Sequence, residues 1–256
     1  MNNIFDSHAH YDDARFDEDR ALLLSSLQKN GVRAVLNAGC DLQSSREGIR
    51  YAKQYDYFYA AVGIHPQAAD EFTPEDIQTL RQLAGEEKVV AIGEIGLDYH
   101  YETPPREVQK PAFEAQLQLA KELDLPVIIH SREATADVMA LLHRYTPKGV
   151  VHCFSGSAET AREVLALGMY IGFTGVVTFS NAKKVLEAVA VTPLDRLLLE
   201  TDCPYMAPAP YRGKRCNSSM IAATAAKVSE IKGIAVQQLI DIATENALRM
   251  YQIREG

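Results

Sequence analysis

Absences narrow this sequence before any motif does. None of its four cysteines, Cys40, Cys153, Cys203 and Cys216, forms a CxxC pair, which excludes a disulfide framework and a structural zinc knuckle. No run approaches the roughly 18 apolar residues of a membrane span. No basic segment followed by an apolar stretch opens the chain, so the expectation is a soluble, cytoplasmic protein with no membrane partner. Positive charge is short as well. The 26 Lys plus Arg against 34 Asp plus Glu, a net of −8, create no global field to draw in duplex nucleic acid. A phosphate-bearing substrate would then need a local basic patch or metal ions. Linkers, low-complexity tracts and fixed-period repeats are also missing. With 256 residues, 47% of them hydrophobic, the chain can bury one large core, and a single domain over 1–256 is expected. Nothing marks an obligate protein partner.

What is present is alternation. Val- and Ile-rich runs predict strands at Asn3 to Ser7, Ala34 to Ala38, Tyr59 to Ile64, Val89 to Glu94, Pro126 to His130, Val150 to Phe154, Tyr170 to Thr174 and Arg196 to Thr201. Amphipathic stretches separate them, among them Asp17 to Lys29, ended by Gly31, and Pro104 to Leu123, where proline suits the first turn. Helices near Ser218 to Ile231 and Val236 to Tyr251 close the chain. Repeated βα units numbering about eight predict an α/β fold, a TIM-type (β/α)8 barrel.

His8 and His10 stand two apart after the apolar Ile4 to Phe5. On a strand their imidazoles point the same way, because side chains repeat every two residues. The pair alone is a weak motif. Glu94, His130, His152 and Asp202, however, each lie at or just past the C-terminal end of a different expected strand, the end where barrel chemistry sits. Four imidazoles and two carboxylates exceed one tetrahedral ion but suit two divalent ions sharing a carboxylate. Glu94 is assigned as that bridge; His8, His10 and Asp202 complete one ion, and His130 and His152 serve the other. Such a pair clamps the attacking and leaving oxygens of an in-line phosphoryl displacement and acidifies a bound water toward a pKa of about 7. Hydrolysis is the expected chemistry. Both carboxylates follow apolar runs, where an ionised group needs a cation or partner to offset its desolvation.

The phrases DSHAH (Asp6 to His10), GIHP (Gly63 to Pro66), GEIGLDY (Gly93 to Tyr99), IIHSR (Ile128 to Arg132), HCFSG (His152 to Gly156) and ETDCP (Glu200 to Pro204) occur in this order. Together they closely resemble the TatD family of metal-dependent deoxyribonucleases, from residue 4 to about residue 250. The resemblance implies an amidohydrolase-superfamily barrel with two divalent ions on His8, His10, Glu94, His130, His152 and Asp202. It also implies hydrolysis of DNA phosphodiesters, often exonucleolytic, with Mg²⁺ supporting turnover and Zn²⁺ or Mn²⁺ as other ions the site would take. One stretch departs from the pattern: after Arg215 many relatives continue Asn-Glu-Pro, whereas this chain reads Cys216, Asn217, Ser218, Ser219.

Around these ligands, Arg212, Lys214 and Arg215 form the densest positive cluster and, with Arg132, are candidates to hold substrate phosphates. His65 reaches the same rim and joins Glu94 and Asp202 as a candidate for a catalytic part. Asp98 is read as a partner orienting a ligand imidazole or as a base for the metal's water. Tyr99 and Tyr101 are read as packing residues or as stacking surfaces for unpaired bases; His100 and His143 receive no role. DNA bearing ends or single strands is the expected partner. The competing chemistry on such a barrel is opening of a small cyclic amide or ester, which often uses a carbamylated lysine as bridge; the Val89 to Glu94 run carries none.

Overall fold

The computed structural model of the chain describes residues 1–254. Eight strands are present: β1 (Ile4–Ala9), β2 (Val32–Ala38), β3 (Phe58–Val62), β4 (Val89–Asp98), β5 (Val127–Arg132), β6 (Gly149–Val151), β7 (Tyr170–Phe173) and β8 (Leu197–Leu199). They follow one another in sequence order in one sheet. Among the described residues nine α-helices alternate with them or follow them: α1 (Arg20–Leu27), α2 (Leu42–Gln54), α3 (Pro74–Ala84), α4 (Arg106–Leu123), α5 (Thr135–Tyr145), α6 (Ala158–Ala166), α7 (Lys183–Val191), α8 (Ile221–Lys232) and α9 (Val236–Met250). This is the (β/α)8 barrel that the alternation predicts. No helix of the described residues is long and apolar enough to cross a membrane.

Contacts divide the chain into two compact units. The first comprises Met1–Asn37, Cys153–Ala166 and Tyr170–Arg249. Within it β1 pairs in parallel with β2, from Ile4 opposite Val32 to Ala9 opposite Asn37. β7 pairs with β8 over Ile171–Leu197 to Phe173–Leu199. Every residue of β1 is buried, including Asp6, Ser7 and His8, as expected of a strand covered on both faces. The helix expected from Asp17 begins at Arg20 instead, because Ala14–Phe16 forms a separate 3-10 turn and Asp19 takes the N-cap position. At its other end α1 stops at Leu27 and a 3-10 turn, Gln28–Asn30, carries the chain to the expected stop at Gly31. Gly31 adopts φ 88°, and a Cβ there would collide with the Met1 carbonyl.

The second unit comprises Ala38–His152, Leu167–Met169 and the chain from Met250 onward. It holds β3 to β6 and α2 to α5. Asp41 and Ser44 form a reciprocal capping box that starts α2 just past β2. α4 starts one residue after its prolines, Pro105 being the extended N-cap. β4 is four residues longer than expected, since Ile95 and Leu97 are fully buried and pair with β5. Glu94 therefore lies inside the strand. Between Ile92 and Ile95 the register against β5 slips, a bulge of the kind that re-aims a side chain beside a site.

Candidate metal-binding active site

The first unit brings His8, His10 and Asp202 together. His8 Nε2 lies 3.0 Å from His10 Nε2, and Asp202 Oδ1 lies 3.7 Å from the first and 3.3 Å from the second. Local backbone fixes this meeting. The Asp202 amide donates to the His8 carbonyl at 2.9 Å and the His10 amide to the Cys203 carbonyl at 2.8 Å. Asp202 itself sits at φ 58°, a left-handed conformation that aspartate tolerates better than most residues. Ligands at about 2.0–2.2 Å from one ion stand roughly 3–3.5 Å from each other. Two of the three separations fall in that range and the third, His8 to Asp202 at 3.7 Å, lies just beyond it; two imidazoles with one carboxylate are a donor set for a divalent transition ion.

In the second unit Glu94 is the hub. It is 3% exposed, and its Oε1 lies 2.6 Å from His130 Nδ1, 2.7 Å from His152 Nε2 and 3.5 Å from His65 Nε2. His65, Glu94 and His130 each offer a ligand atom within 4.8 Å of the others. The other nitrogen of His130 lies 3.3 Å from Asp98 Oδ2, so Asp98 stands where a carboxylate orients a ligand imidazole. Gln109 steadies Asp98 by accepting from its amide and donating to its carbonyl. His65 Nδ1 accepts from the Gln67 amide at 3.1 Å, which leaves the neutral ring's proton on Nε2, facing Glu94.

These contacts set the local electrostatics. Burial alone would lower the His130 imidazole, but Asp98 and Glu94 outweigh it and raise it to about 9. Burial would likewise raise Asp98, yet His130, the His100 amide and Arg132 hold it below the usual carboxylate range. The unit thus favours positive charge at the imidazole cluster, which a divalent cation supplies in place of protons. In the first unit, burial pushes the Asp6 carboxyl up to about 6 against hydrogen bonds from Thr201 and Ser218.

The outer cations divide. Arg132 is exposed at the end of β5, its guanidinium 5.3 Å from the Tyr101 ring, itself 49% exposed. Tyr99 is tied down by its hydroxyl on Asp137 and by Arg106 over its ring, a packing arrangement. Arg212 stacks on Phe179 at 3.7 Å, and Lys214 is exposed. Arg215 instead clasps Asp19 with two nitrogens at 2.8 and 2.6 Å and donates to the Arg15 carbonyl, fastening its loop to the start of α1. Sequence reading passed over Asp6, Thr201 and Ser218, whose side chains meet at Asp6 on the strand that carries His8. The one available signal was a carboxylate inside a buried run.

Imidazoles and carboxylates at the C-terminal strand ends of a (β/α)8 barrel define a metal-dependent hydrolase. The chain belongs to the TatD-related DNase family, whose model matches residues 5–252. It is 42% identical over 253 residues to YabD of Bacillus subtilis (strain 168), an uncharacterized metal-dependent hydrolase, covering 98% of this chain and 99% of that one. It is 41% identical over 211 residues to the 3'-5' ssDNA/RNA exonuclease TatD of Cronobacter sakazakii, covering 80% of each. Among solved structures, the TatD homolog YjjV of Escherichia coli K12 superposes with a TM-score of 0.93 at 31% identity, covering 98% of this chain and 99% of that one.

Proposed function

We propose that the chain hydrolyses phosphodiester bonds of DNA at ends or in single strands, using two divalent ions. One ion is assigned to His8, His10 and Asp202, the other to His130 and His152, with Glu94 shared, as the family resemblance implies. Mg²⁺ is the ion proposed for turnover. The observation that carries this reading is the 3.0–3.7 Å meeting of the His8, His10 and Asp202 donor atoms, a set with no evident use other than holding a cation. When bound, the ions supply Lewis-acid charge and an acidified water. The protein's own groups do the rest. Asp98 holds the His130 ring in orientation, and His65 keeps an N–H aimed at Glu94. Arg132 and the exposed Arg212 and Lys214 supply the local positive charge that a net of −8 otherwise lacks. Tyr211, 38% exposed in the loop that follows Asp202, offers a face on which an unpaired base stacks.

The test is substrate choice. A single-stranded oligonucleotide is cleaved faster than a closed circular duplex of matched base composition, because a stiff duplex cannot bend one phosphate into a barrel mouth. Faster cleavage of the circle overturns the proposal. An RNA oligonucleotide run alongside defines the breadth of the activity, since the Cronobacter relative is named for both polymers.

The cation division yields a second measurement. Lys214→Ala should make log affinity against log salt shallower by about 0.7 on a single strand, one lost phosphate contact. Arg215→Ala should leave that slope as it is, because its guanidinium is spent on Asp19. Equal slopes for wild type and Lys214→Ala would remove Lys214 from the phosphate path.

A further inference from the structure

The first and last strands are neighbours with very little ladder between them. Among the described residues, β1 and the chain after β8 share one isolated bridge, Ala9 to Cys203, flanked by the two backbone bonds already described at His8 and His10. Side chains take over where the ladder is missing. Asp6 Oδ1 accepts from the Thr201 amide at 2.9 Å, and Asp6 Oδ2 accepts from the Thr201 hydroxyl at 2.6 Å and the Ser218 hydroxyl at 2.7 Å. Asp6 is fully buried, and so are its partners. The next residue repeats the device: Ser7 Oγ donates to the Leu199 carbonyl at 3.1 Å.

The position of this carboxylate matters more than its burial. Asp6 is two residues ahead of His8, and Thr201 directly precedes Asp202, so the clamp joins the two segments that carry one donor set. Thr201 Oγ1 also accepts from the Cys203 amide at 3.1 Å, which braces the turn on the far side of Asp202. Ser218 ties the end of the basic loop into the same point, its hydroxyl 2.7 Å from the Tyr11 hydroxyl and its amide donating to that hydroxyl at 2.9 Å. A proline at this position could supply neither the hydroxyl nor the amide hydrogen that make this third anchor.

We infer that Asp6, with Thr201, is a positioning residue that replaces the missing strand ladder and holds the donor atoms of His8, His10 and Asp202 at the spacing one divalent ion requires. The inference rests on the proposed use of those three residues as ligands. A carboxylate accepting from two hydroxyls and an amide fixes the direction of all three donors. An amide at the same place must donate to hydroxyls that already accept or share protons, and the clamp loosens.

The test is titration of the metal-stripped full-length chain with Mn²⁺, followed by the electron paramagnetic resonance signal of the free ion, with melting temperatures taken on the same metal-free samples. Wild type binds, and His8→Ala weakens binding. Asp6→Asn and Thr201→Val should raise the dissociation constant about 10–100-fold, the usual effect of losing a group that orients ligands. Thr201→Ser, which keeps the hydroxyl, should restore wild-type binding. If Asp6→Asn does not fold, the Thr201 pair reads the same link. Folded Asp6→Asn and Thr201→Val proteins that titrate like wild type, with only their melting temperatures lowered, would make the clamp merely structural and overturn the inference. Should wild type and His8→Ala titrate alike, the ligand assignment itself fails, an outcome distinct from the first.

Discussion

Glu94→Ala is expected to lower kcat/KM on a single-stranded oligonucleotide by at least about a thousandfold, equivalent to roughly 4 kcal/mol of transition-state stabilisation. The size follows from position. One carboxylate oxygen meets His130 and His152 at hydrogen-bond distance and His65 at 3.5 Å, so three imidazoles lose their common counter-charge at once. Any cation held by those imidazoles loses its nearest anion with it. Glu94→Gln keeps the volume and one hydrogen-bonding oxygen but not the charge. It should therefore fail almost as completely, which separates electrostatics from packing. Folding should survive in both variants, because the strand around position 94 is held by β5 pairing at Ile95 to Asp98 and by the buried Ile92, Ile95 and Leu97. Circular dichroism checks the fold, and a Glu94→Ala enzyme within tenfold of wild type would end the assignment of Glu94 as the shared ligand.

The strands were legible in the sequence because buried parallel strands are written as continuous Val and Ile runs, and a run such as Val127 to Ile129 admits few other readings. β4 shows the limit. Its extension to Asp98 depends on Ile95 and Leu97 being buried against β5, which the expected strand, ending at Glu94, did not include. Gly96 sits at φ 153°, and a Cβ there would collide with the His130 carbonyl, a close approach that only the folded neighbour reveals. The candidate ligands were legible for a different reason. Each stands at or near the end of a readable strand, so fold and motif located them together. Partners far apart in sequence carry no such signal. Asp6 and Ser218 are separated by 212 positions, and Arg215 and Asp19 by 196. A cluster of positive charge therefore reads the same whether a guanidinium faces solvent or is clasped by a carboxylate. Arg215 shows this plainly, since its two neighbours Arg212 and Lys214 differ from it only in what the fold places opposite them.

Exhaustive chelation followed by gel filtration is expected to abolish hydrolysis and lower the melting temperature, and adding back a divalent ion should reverse both. The functional loss is complete in this reading because all the candidate ligands bind a cation and none is placed as a free nucleophile. The stability change follows from linkage. An ion bound only by the folded chain, at a hundred times its dissociation constant, adds about 2.7 kcal/mol per site. For a chain of this size that corresponds to a rise of roughly 5–11 °C. Locally the ion must displace the proton that Asp98 and Glu94 hold on His130, which offsets part of that gain and makes the rise in melting temperature larger at higher pH. Comparing ions separates affinity from turnover. Imidazole-rich donors favour Zn²⁺ over Mn²⁺ and both over Mg²⁺ in binding, so the melting-temperature rise at equal concentration should follow that order. Turnover should instead be supported by Mg²⁺ at higher concentration, if the reacting phosphate completes the coordination of a hard ion. Hydrolysis that persists in chelated, desalted protein, with a melting temperature indifferent to all three ions, would contradict the metal-dependent mechanism.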